Sequence, residues 1–410
     1  MKVLFVTDIL PNKNHSTVSY HSLIFSNLLK LSGYDVYILS CEDKLVYKKF
    51  SKKDKSLNSG IKIKQIFLPR KKIKFLEKLK RFFLLLFRKK LEDYFPRLNN
   101  LDILFENINK IKPDFIITFC NYDILLGLLI NSYIPKISFI TESYESSVKA
   151  RASITGNWCK ILLKKIILEL IFFGFRKKIA LQFNKIKHPL FTVLYEAEKY
   201  FNDGVKGSKF IRCLSPDWKF KYKKPDNKIF RILIFGHKRN TALLIGLRYL
   251  ANEILPKLES QIKNKYVINI VGKYKLPKYL LKILNSYKSV RIKGFVKNLK
   301  NLIRNSNVVL LPTPIALGSR PRAIFSWSAG SCVIGHKSNQ DSLPFFKNKY
   351  NCLLGNSSDE IVDHILNIKK NPLLRKKIIF NARKTFEKEF SVSKWKKEFT
   401  KITKLNLKTF

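Results

Sequence analysis

VVLLPTPIALGSRPRAIFSWSAG, residues 308–330, is the stretch that decides the fold of this chain. It begins with four apolar residues, a length and composition typical of a buried strand, and Pro312 ends that run. The next residues are rich in proline and glycine and predict an irregular loop. A helix is predicted from Ala323, with Gly330 as its stop signal. Strand, loop and helix in this order form the repeating unit of an α/β sheet.

Two arginines, Arg320 and Arg322, stand where this predicted helix begins. A helix N-terminus presents N–H groups that have no partner within the helix, and a guanidinium can donate two parallel hydrogen bonds to a phosphate. Gly318 shapes the loop around them. The stretch therefore predicts a site for a phosphate-bearing ligand, although a solvated loop in a lysine-rich chain would show the same residues.

Similar strand and helix patterns extend to both ends of the chain. In the first half, strands are predicted at 2–7, 35–39, 61–68, 114–118, 136–140, 190–195 and 209–213. The segment 216–228 is polar, charged and contains proline, as linkers do. The pattern then restarts, with strands at 230–235, 267–271, 290–292, 308–311 and 331–334. Two βα arrays predict an α/β protein of two Rossmann-like doubly wound domains facing across a cleft, at 1–222 and 228–388.

The net charge of +51 is extreme, with 80 basic against 29 acidic residues. A polyanionic partner such as an anionic membrane or a phosphorylated substrate is one explanation. The other is codon bias, because Lys, Ile, Asn and Phe are abundant together and the lysines are scattered along the whole chain. No zinc-finger spacing, RNP signature or basic zipper is present, so we expect no specific nucleic-acid partner.

The location is expected to be cytoplasmic. No uncharged apolar run reaches the ~20 residues of a membrane span, and the first apolar run meets Asp8 at once, which favours a strand over a signal peptide. No Cys or His spacing indicates a metal site. Two stretches, 71–90 and 160–187, carry an apolar centre between basic flanks. They suit a helix lying at the inner face of a membrane, or equally an ordinary core helix with solvated lysines.

The second half resembles the nucleotide-sugar domain of GT-B glycosyltransferases, and is most similar to glycosyltransferase family 4 (group 1). The resemblance rests on an ordered set of landmarks at 236, 256–258, 271–272, 294–296 and 299, followed by the 308–330 stretch. At the C-terminus, 381–383, 390–391 and 395 match the family's closing segment. The resemblance implies that a helix at 389–410 returns to the first domain.

What the resemblance implies is transfer of a sugar from a nucleotide-sugar donor to a glycan or lipid-linked acceptor, in surface polysaccharide or lipopolysaccharide synthesis. The chemistry would need no metal and no cofactor besides the donor substrate. By analogy the donor's diphosphate would contact two loops, and the donor pocket as a whole would be lined by Gly236, His237, Lys238, Arg239, Gly272, Lys273, Gly318, Ser319, Arg320, Arg322 and Ser326.

The chain departs from the family at two positions. Where relatives carry a pair of glutamates, one of which binds the nucleotide ribose, this chain has Leu317 and Phe325. Neither side chain accepts a hydrogen bond, and Ser319 or Ser326 would be weak substitutes. The alternative hypothesis is therefore a catalytically inactive GT-B-like binding or scaffold protein. A basic nucleic-acid-binding protein is a further alternative that rests on charge alone.

Fewer signals mark the acceptor side. His15 lies in the loop after the first strand, where it would act as a base or acceptor ligand, or simply be solvated. Glu142 follows a strand end in an apolar setting, a place where many relatives carry a catalytic-region His or Glu. Glu196 opens a predicted helix and is interpreted as a cap. His15 and Glu142 are the candidate catalytic residues.

Overall fold

The computed structural model describes residues 1–12, 17–42, 57–67, 101–120, 122–152, 158–222, 229–238, 240–262 and 265–407. The chain divides into two compact units, Met1–Arg212 with Lys396–Phe410, and Cys213–Trp395. Each unit is a parallel sheet flanked by helices, so the predicted class of two Rossmann-like α/β domains is confirmed.

The first unit holds a seven-stranded parallel sheet in the order β3-β2-β1-β4-β5-β6-β7. Its strands are β1 Lys2–Thr7, β2 Asp35–Glu42, β3 Lys62–Phe67, β4 Phe115–Phe119, β5 Lys136–Ile140, β6 His188–Phe191 and β7 Lys209–Phe210. Its helices are Thr17–Leu31, Asp102–Ile111, Tyr122–Asn131, Tyr144–Ala152, Trp158–Phe183 and Leu194–Asn202.

The core of the first unit is aromatic and includes the C-terminal helix. The ring of Phe25 lies 5.4 Å from that of Phe139 and 5.0 Å from that of Phe399, measured between centroids. Phe399 belongs to the helix Val392–Thr403, whose residues from Lys396 onward are part of this unit. The predicted return of the last helix to the first domain is therefore observed, and burial of apolar rings is its physical cause.

The second unit holds a six-stranded parallel sheet in the order β10-β9-β8-β11-β12-β13. Its strands are β8 Phe230–Phe235, β9 Tyr266–Val271, β10 Val290–Lys293, β11 Val308–Leu311, β12 Cys332–His336 and β13 Leu353–Gly355. Its helices are Thr241–Tyr249, Leu255–Ile262, Lys278–Asn285, Leu299–Arg304, Pro321–Ala329, Asn339–Ser342, Ser358–Lys370 and Pro372–Phe390.

Three local predictions differ from the structure. The strand predicted at 190–195 ends at Phe191, because a helix begins at Leu194. The helix predicted at 242–258 contains a π-helical segment, Leu250–Ile254, which ends two residues before Pro256. Proline cannot donate its backbone hydrogen bond, and a π segment absorbs that loss. The short edge strand β13 was not predicted, since three residues give too little pattern.

The described part of the segment predicted as a linker packs on the second unit. The Trp218 amide donates to Ser328 Oγ at 2.7 Å, and Asp217 pairs with Arg383 at 2.7 Å. The boundary between the units lies at Arg212–Cys213, ahead of this segment. Composition alone marks the segment as polar, but its tryptophan and its aspartate each have a partner more than 100 residues away along the chain.

Candidate functional site

In the second unit the strand order reverses between β8 and β11, the point where ligands bind in doubly wound sheets. The loop after β8 begins at Gly236, and the loop after β11 leads to Arg322. A Cβ placed on Gly236 would lie 3.6 Å from Arg322 Cδ, so the two loops are in contact. The structure thus brings together the two loops that the sequence singled out.

The loops after β8, β9 and β10 are joined through their backbones. The Gly236 amide donates to Val271 O at 3.0 Å, the Lys238 amide to Lys273 O at 3.2 Å, and the Gly272 amide to Gly294 O at 3.1 Å. A Cβ on Gly272 would lie 1.7 Å from Gly236 O, which leaves room only for glycine. Three strand ends therefore form one continuous edge with an accessible backbone.

This edge is strongly basic. The loop residues 236–240, 272–277, 294–298 and 312–322 contain no Asp or Glu. The buried Lys238 side chain donates through Nζ to Lys293 O at 2.6 Å. Lys273 Nζ lies 4.9 Å from the Phe295 ring centroid, and burial lowers its pKa to about 8. His237 is exposed, with its ring 4.3 Å from that of Tyr274. Arg239 is outside the described residues.

Arg322 is the cation that best fits an anion site. Its side chain is half-buried, and its Nη1 atom is buried with no hydrogen-bond partner among the described residues. Burial lowers the pKa of its guanidinium to about 10, so the group remains charged at neutral pH. A buried donor without an acceptor costs free energy, and such a cost is typical of a site that a ligand completes.

Arg320 has different surroundings, although it is only two residues away. It is the N-cap of the helix Pro321–Ala329 with φ of 52°, a left-handed conformation. Its guanidinium is buried and donates to Leu317 O at 2.7 Å and to Ile315 O. These bonds hold the loop in shape, so both Nη atoms of Arg320 are occupied by the loop itself.

The other predicted residues of this loop also have structural partners. Gly318 has a φ of 73°, which favours glycine. Ser319 Oγ accepts a hydrogen bond from Cys213 Sγ at 3.2 Å. Ser326 is fully buried, and its hydroxyl donates to Arg322 O at 2.7 Å. Neither serine hydroxyl is therefore arranged as a ready acceptor for a ribose.

The two apolar positions that depart from the family pattern are both used in packing. Leu317 is buried. The Phe325 ring lies 5.1 Å from the Trp218 ring, centroid to centroid. The two positions where the resemblance leads one to expect glutamates, Leu317 and Phe325, are therefore both apolar and packed.

Sequence reasoning missed the residues that support the loop after β11. Thr313 Oγ1 donates to Ala242 O at 2.9 Å, and Ser338 Oγ donates to Thr313 O at 3.0 Å. His336 contacts the Ser338 amide through Nδ1 and Asn356 O through Nε2, which the neutral tautomer with its proton on Nε2 satisfies. Burial lowers the His336 pKa, in keeping with that neutral form. Lone Ser, Thr and His residues in separate loops give no sequence signal.

In the first unit the strand order reverses between β1 and β4. The loop after β1 contains His15, which lies outside the described residues. Glu142 follows β5 and is half-buried. Its negative charge adds to the effect of burial in raising the pKa of the Tyr122 and Tyr195 hydroxyls. The structure therefore places Glu142 at the carboxyl edge of the sheet, near the reversal.

Three tyrosines that the sequence did not single out lie near this edge of the sheet. Tyr122 and Tyr200 share a hydrogen bond of 3.2 Å, and Tyr195 donates to Glu196 Oε1 at 3.0 Å. Burial, followed by the charge of Glu196, raises the pKa of Tyr122 and Tyr195. Glu196 Oε2 is buried with no partner among the described residues. These side chains make this edge of the sheet polar.

An ion network holds the helices beside this edge. Buried Glu145 accepts from Arg176 Nε at 3.1 Å, Lys149 at 2.6 Å and Lys199 at 2.7 Å. Glu169 joins through Arg176 Nη2 at 3.0 Å. Burial by itself raises the Glu145 pKa, but the three cations outweigh it and hold that pKa at about 2. The carboxylate therefore stays charged at neutral pH and fixes three helices together.

Two features are absent from the described residues. No group of three His, Cys, Asp or Glu side chains in that part of the chain is arranged to hold a metal ion. Likewise, none of the helices within the described ranges combines the length and apolar character needed to cross a bilayer.

The chain is similar to known proteins in its structure but not in its sequence. No protein-family model matches the chain, and no curated protein matches it in sequence. HepE of Anabaena, solved with UDP-glucose, has a TM-score of 0.66 at 12% identity and covers 99% of this chain and 100% of its own. Sucrose-phosphate synthase of Thermosynechococcus elongatus has a TM-score of 0.67 at 13% identity, over 98% of both chains. A mutant of S. aureus TarM, solved with fondaparinux, α-GlcNAc-glycerol and UDP, has a TM-score of 0.65 at 12% identity, over 98% and 100%.

These solved structures are GT-B glycosyltransferases, and the chain has the GT-B fold. The match extends over both units, as the ordered landmarks predicted. The finer resemblance to family 4 stays a prediction.

Proposed function

We propose that this protein is a glycosyltransferase that moves a sugar from a nucleotide-sugar donor to a glycan or lipid-linked acceptor. The observation that carries the proposal is the acid-free, basic edge at the strand reversal of the second unit, with Arg322 Nη1 buried and lacking a described partner. Two proteins of the same fold, HepE and TarM, have been solved with UDP-glucose and UDP respectively.

The donor diphosphate would be held by Arg322, Lys273, Lys238 and His237, with Arg239 as a further predicted contact. When the glycosidic bond breaks, negative charge grows on the departing nucleoside diphosphate, and fixed cations stabilise it without a metal or cofactor. Arg320 and Gly318 shape the loop that carries Arg322.

The nucleoside end of the donor would be bound differently from the family pattern. Leu317 and Phe325 offer no hydrogen-bond acceptor for a ribose hydroxyl, and Ser319 and Ser326 are engaged within the unit. Affinity would then depend chiefly on the diphosphate contacts. The same observation supports the second candidate function, a GT-B-like protein that binds a nucleotide sugar without transferring it.

On the acceptor side, Glu142 and His15 are the proposed catalytic candidates. A half-buried carboxylate at a strand end is suited to orienting or deprotonating an acceptor hydroxyl. We place the reaction in the cytoplasm, at the inner face of the membrane, in assembly of surface polysaccharide or lipopolysaccharide. The net charge of +51 supports an anionic setting for the acceptor.

The direct test is a panel of nucleotide sugars with UDP, GDP and ADP as leaving groups. We expect saturable binding and slow release of nucleoside diphosphate with at least one donor. Binding without release, even when glycan and lipid-linked acceptors are added, would favour the inactive binding protein. No binding of any donor by a folded sample would contradict both the transferase and the binding protein.

Donor affinity should depend on pH through Lys273. Its pKa of about 8 means that it is charged below that pH and loses its charge as the pH rises through it. The dissociation constant for the donor should therefore rise several-fold between about pH 7 and about pH 9. Calorimetric titration at several pH values measures this. The variant Lys273→Arg should bind with little pH dependence, and an equal dependence in both proteins would exclude Lys273 from the donor site.

A further inference from the structure

The helix Trp158–Phe183 of the first unit has two apolar faces. One face is buried in the core through Ile171, Phe172, Phe175 and Ile179. On the other, five large apolar side chains are each more than half exposed, at Leu163, Ile166, Leu170, Phe173 and Leu181. A surface helix ordinarily shows one apolar face only, so the outer one needs an explanation.

The exposed side chains form a continuous stripe. They are separated by three, four, three and eight residues, and in a helix of 3.6 residues per turn these spacings place them in one row. Lys177 falls in the same row between Phe173 and Leu181, and it is exposed. We call this row, Leu163 to Leu181, the outer stripe.

Exposed basic side chains accompany the outer stripe. Lys165 and Lys177 on the helix and Lys185 and Lys187 just beyond it are exposed. The one acid of the helix, Glu169, is paired with Arg176 and Lys149 and so is already neutralised. An apolar row flanked by cations complements a surface that is apolar inside and anionic outside.

We infer that the outer stripe docks the protein on an anionic lipid bilayer, with the helix lying in the plane of the interface. The helix would insert the apolar row among the lipid chains, while the lysines contact the headgroups. The inference specifies how the proposed transferase reaches a membrane acceptor, so it rests on the proposed function for its purpose. Its test measures binding to vesicles and not enzymatic activity, so the inference and the proposed function can fail separately.

A second copy of the chain fits the outer stripe poorly. A stable dimer buries about 800 Å² and about 20–30 residues on each partner, far more than one row of five side chains. Each copy also carries a net charge of +51, so two copies repel one another. An anionic lipid surface attracts the positive charge, and it does not require the large contact area of a stable dimer.

The test is vesicle flotation with phosphatidylcholine vesicles, with and without phosphatidylglycerol. The variant Leu170→Ser with Phe173→Ser should partition about tenfold or more weakly onto the anionic vesicles than the wild type, because apolar insertion is lost. The matched control, Leu373→Ser with Tyr279→Ser, removes an exposed leucine and an exposed aromatic ring from the second unit. It should partition within about twofold of the wild type. Equal loss in both variants, or in neither, would overturn the inference.

A second measurement is independent of affinity. A tryptophan introduced by Phe173→Trp should be quenched by brominated lipid chains, whereas one introduced by Leu373→Trp should not. Absence of quenching in the first variant would show binding by charge alone and reject insertion. A wild-type dimer that Leu170→Ser with Phe173→Ser converts to monomer would instead assign the stripe to a second copy.

Discussion

Replacing Arg322 with glutamine is expected to lower kcat/KM for the donor about 100-fold or more, while leaving the free energy of unfolding unchanged or raised. The loss of activity follows because one fixed donor to the departing diphosphate is removed, and such groups contribute about 100- to 1000-fold. The unchanged stability follows because the buried Nη1 atom has no partner among the described residues and stabilises nothing there. Activity would thus fall without a loss of stability, as is common at sites shaped for a ligand.

Steady-state kinetics and thermal unfolding of the same samples check this result. Arg248→Gln is the matched control, since Arg248 is also a half-buried arginine, in the last turn of the helix Thr241–Tyr249. It should leave kcat/KM within about twofold, because it lies at the far end of that helix from the basic loops. If Arg322→Gln kept full activity, Arg322 would be excluded from the donor site. If it lost stability in step with activity, Arg322 would be a structural residue.

The sequence could predict the central strands of the sheets because those strands are buried on both faces. Runs such as 230–235 and 308–311 are almost purely apolar, and the structure has strands at those positions. The order of the landmarks then predicted the GT-B fold, which the solved structures share. Strand patterns of this kind can be recognised in a single sequence because each depends only on neighbouring residues.

The roles of Arg320 and Arg322 could not be separated from the sequence. Both stand at the start of one helix, and both have the chemistry to bind phosphate. The difference comes from the left-handed backbone at Arg320, which accompanies a guanidinium turned onto the carbonyls of Leu317 and Ile315. A backbone angle of this kind at a non-glycine residue has no reliable signature in a single sequence.

The apolar residue at position 325, where the resemblance leads one to expect a glutamate, is a second feature that only packing explains. Phe325 is a puzzling substitution until Trp218 is seen beside it, 107 positions earlier in the chain and in the predicted linker. The tyrosines around Glu142 could not be predicted for the same reason, because they come from two separate helices. Contacts between distant segments carry no periodic signal.

Gly272→Ala is expected to destabilise the second unit by about 4 kcal/mol or more, a loss that few single substitutions reach. The new Cβ would lie 1.7 Å from Gly236 O, so the backbones of two adjacent strand ends would have to separate. Those strand ends are joined by the hydrogen bond from Gly236 N to Val271 O at 3.0 Å, which the shift would break. The φ of 155° at Gly272 also disfavours a side chain.

Gly294→Ala is the control for this prediction, because a Cβ there meets no atom within 4 Å, yet Gly294 O accepts the hydrogen bond from Gly272 N. It should change the free energy of unfolding by less than about 1 kcal/mol. Denaturant unfolding of the two variants measures the difference, and donor titration of any folded Gly272→Ala protein tests its consequence. If that variant folded with normal stability and bound the donor normally, the close approach of the two loops would be unnecessary. Since that approach sets Lys238 and Lys273 on one edge, the proposed diphosphate site would then lose its geometric basis.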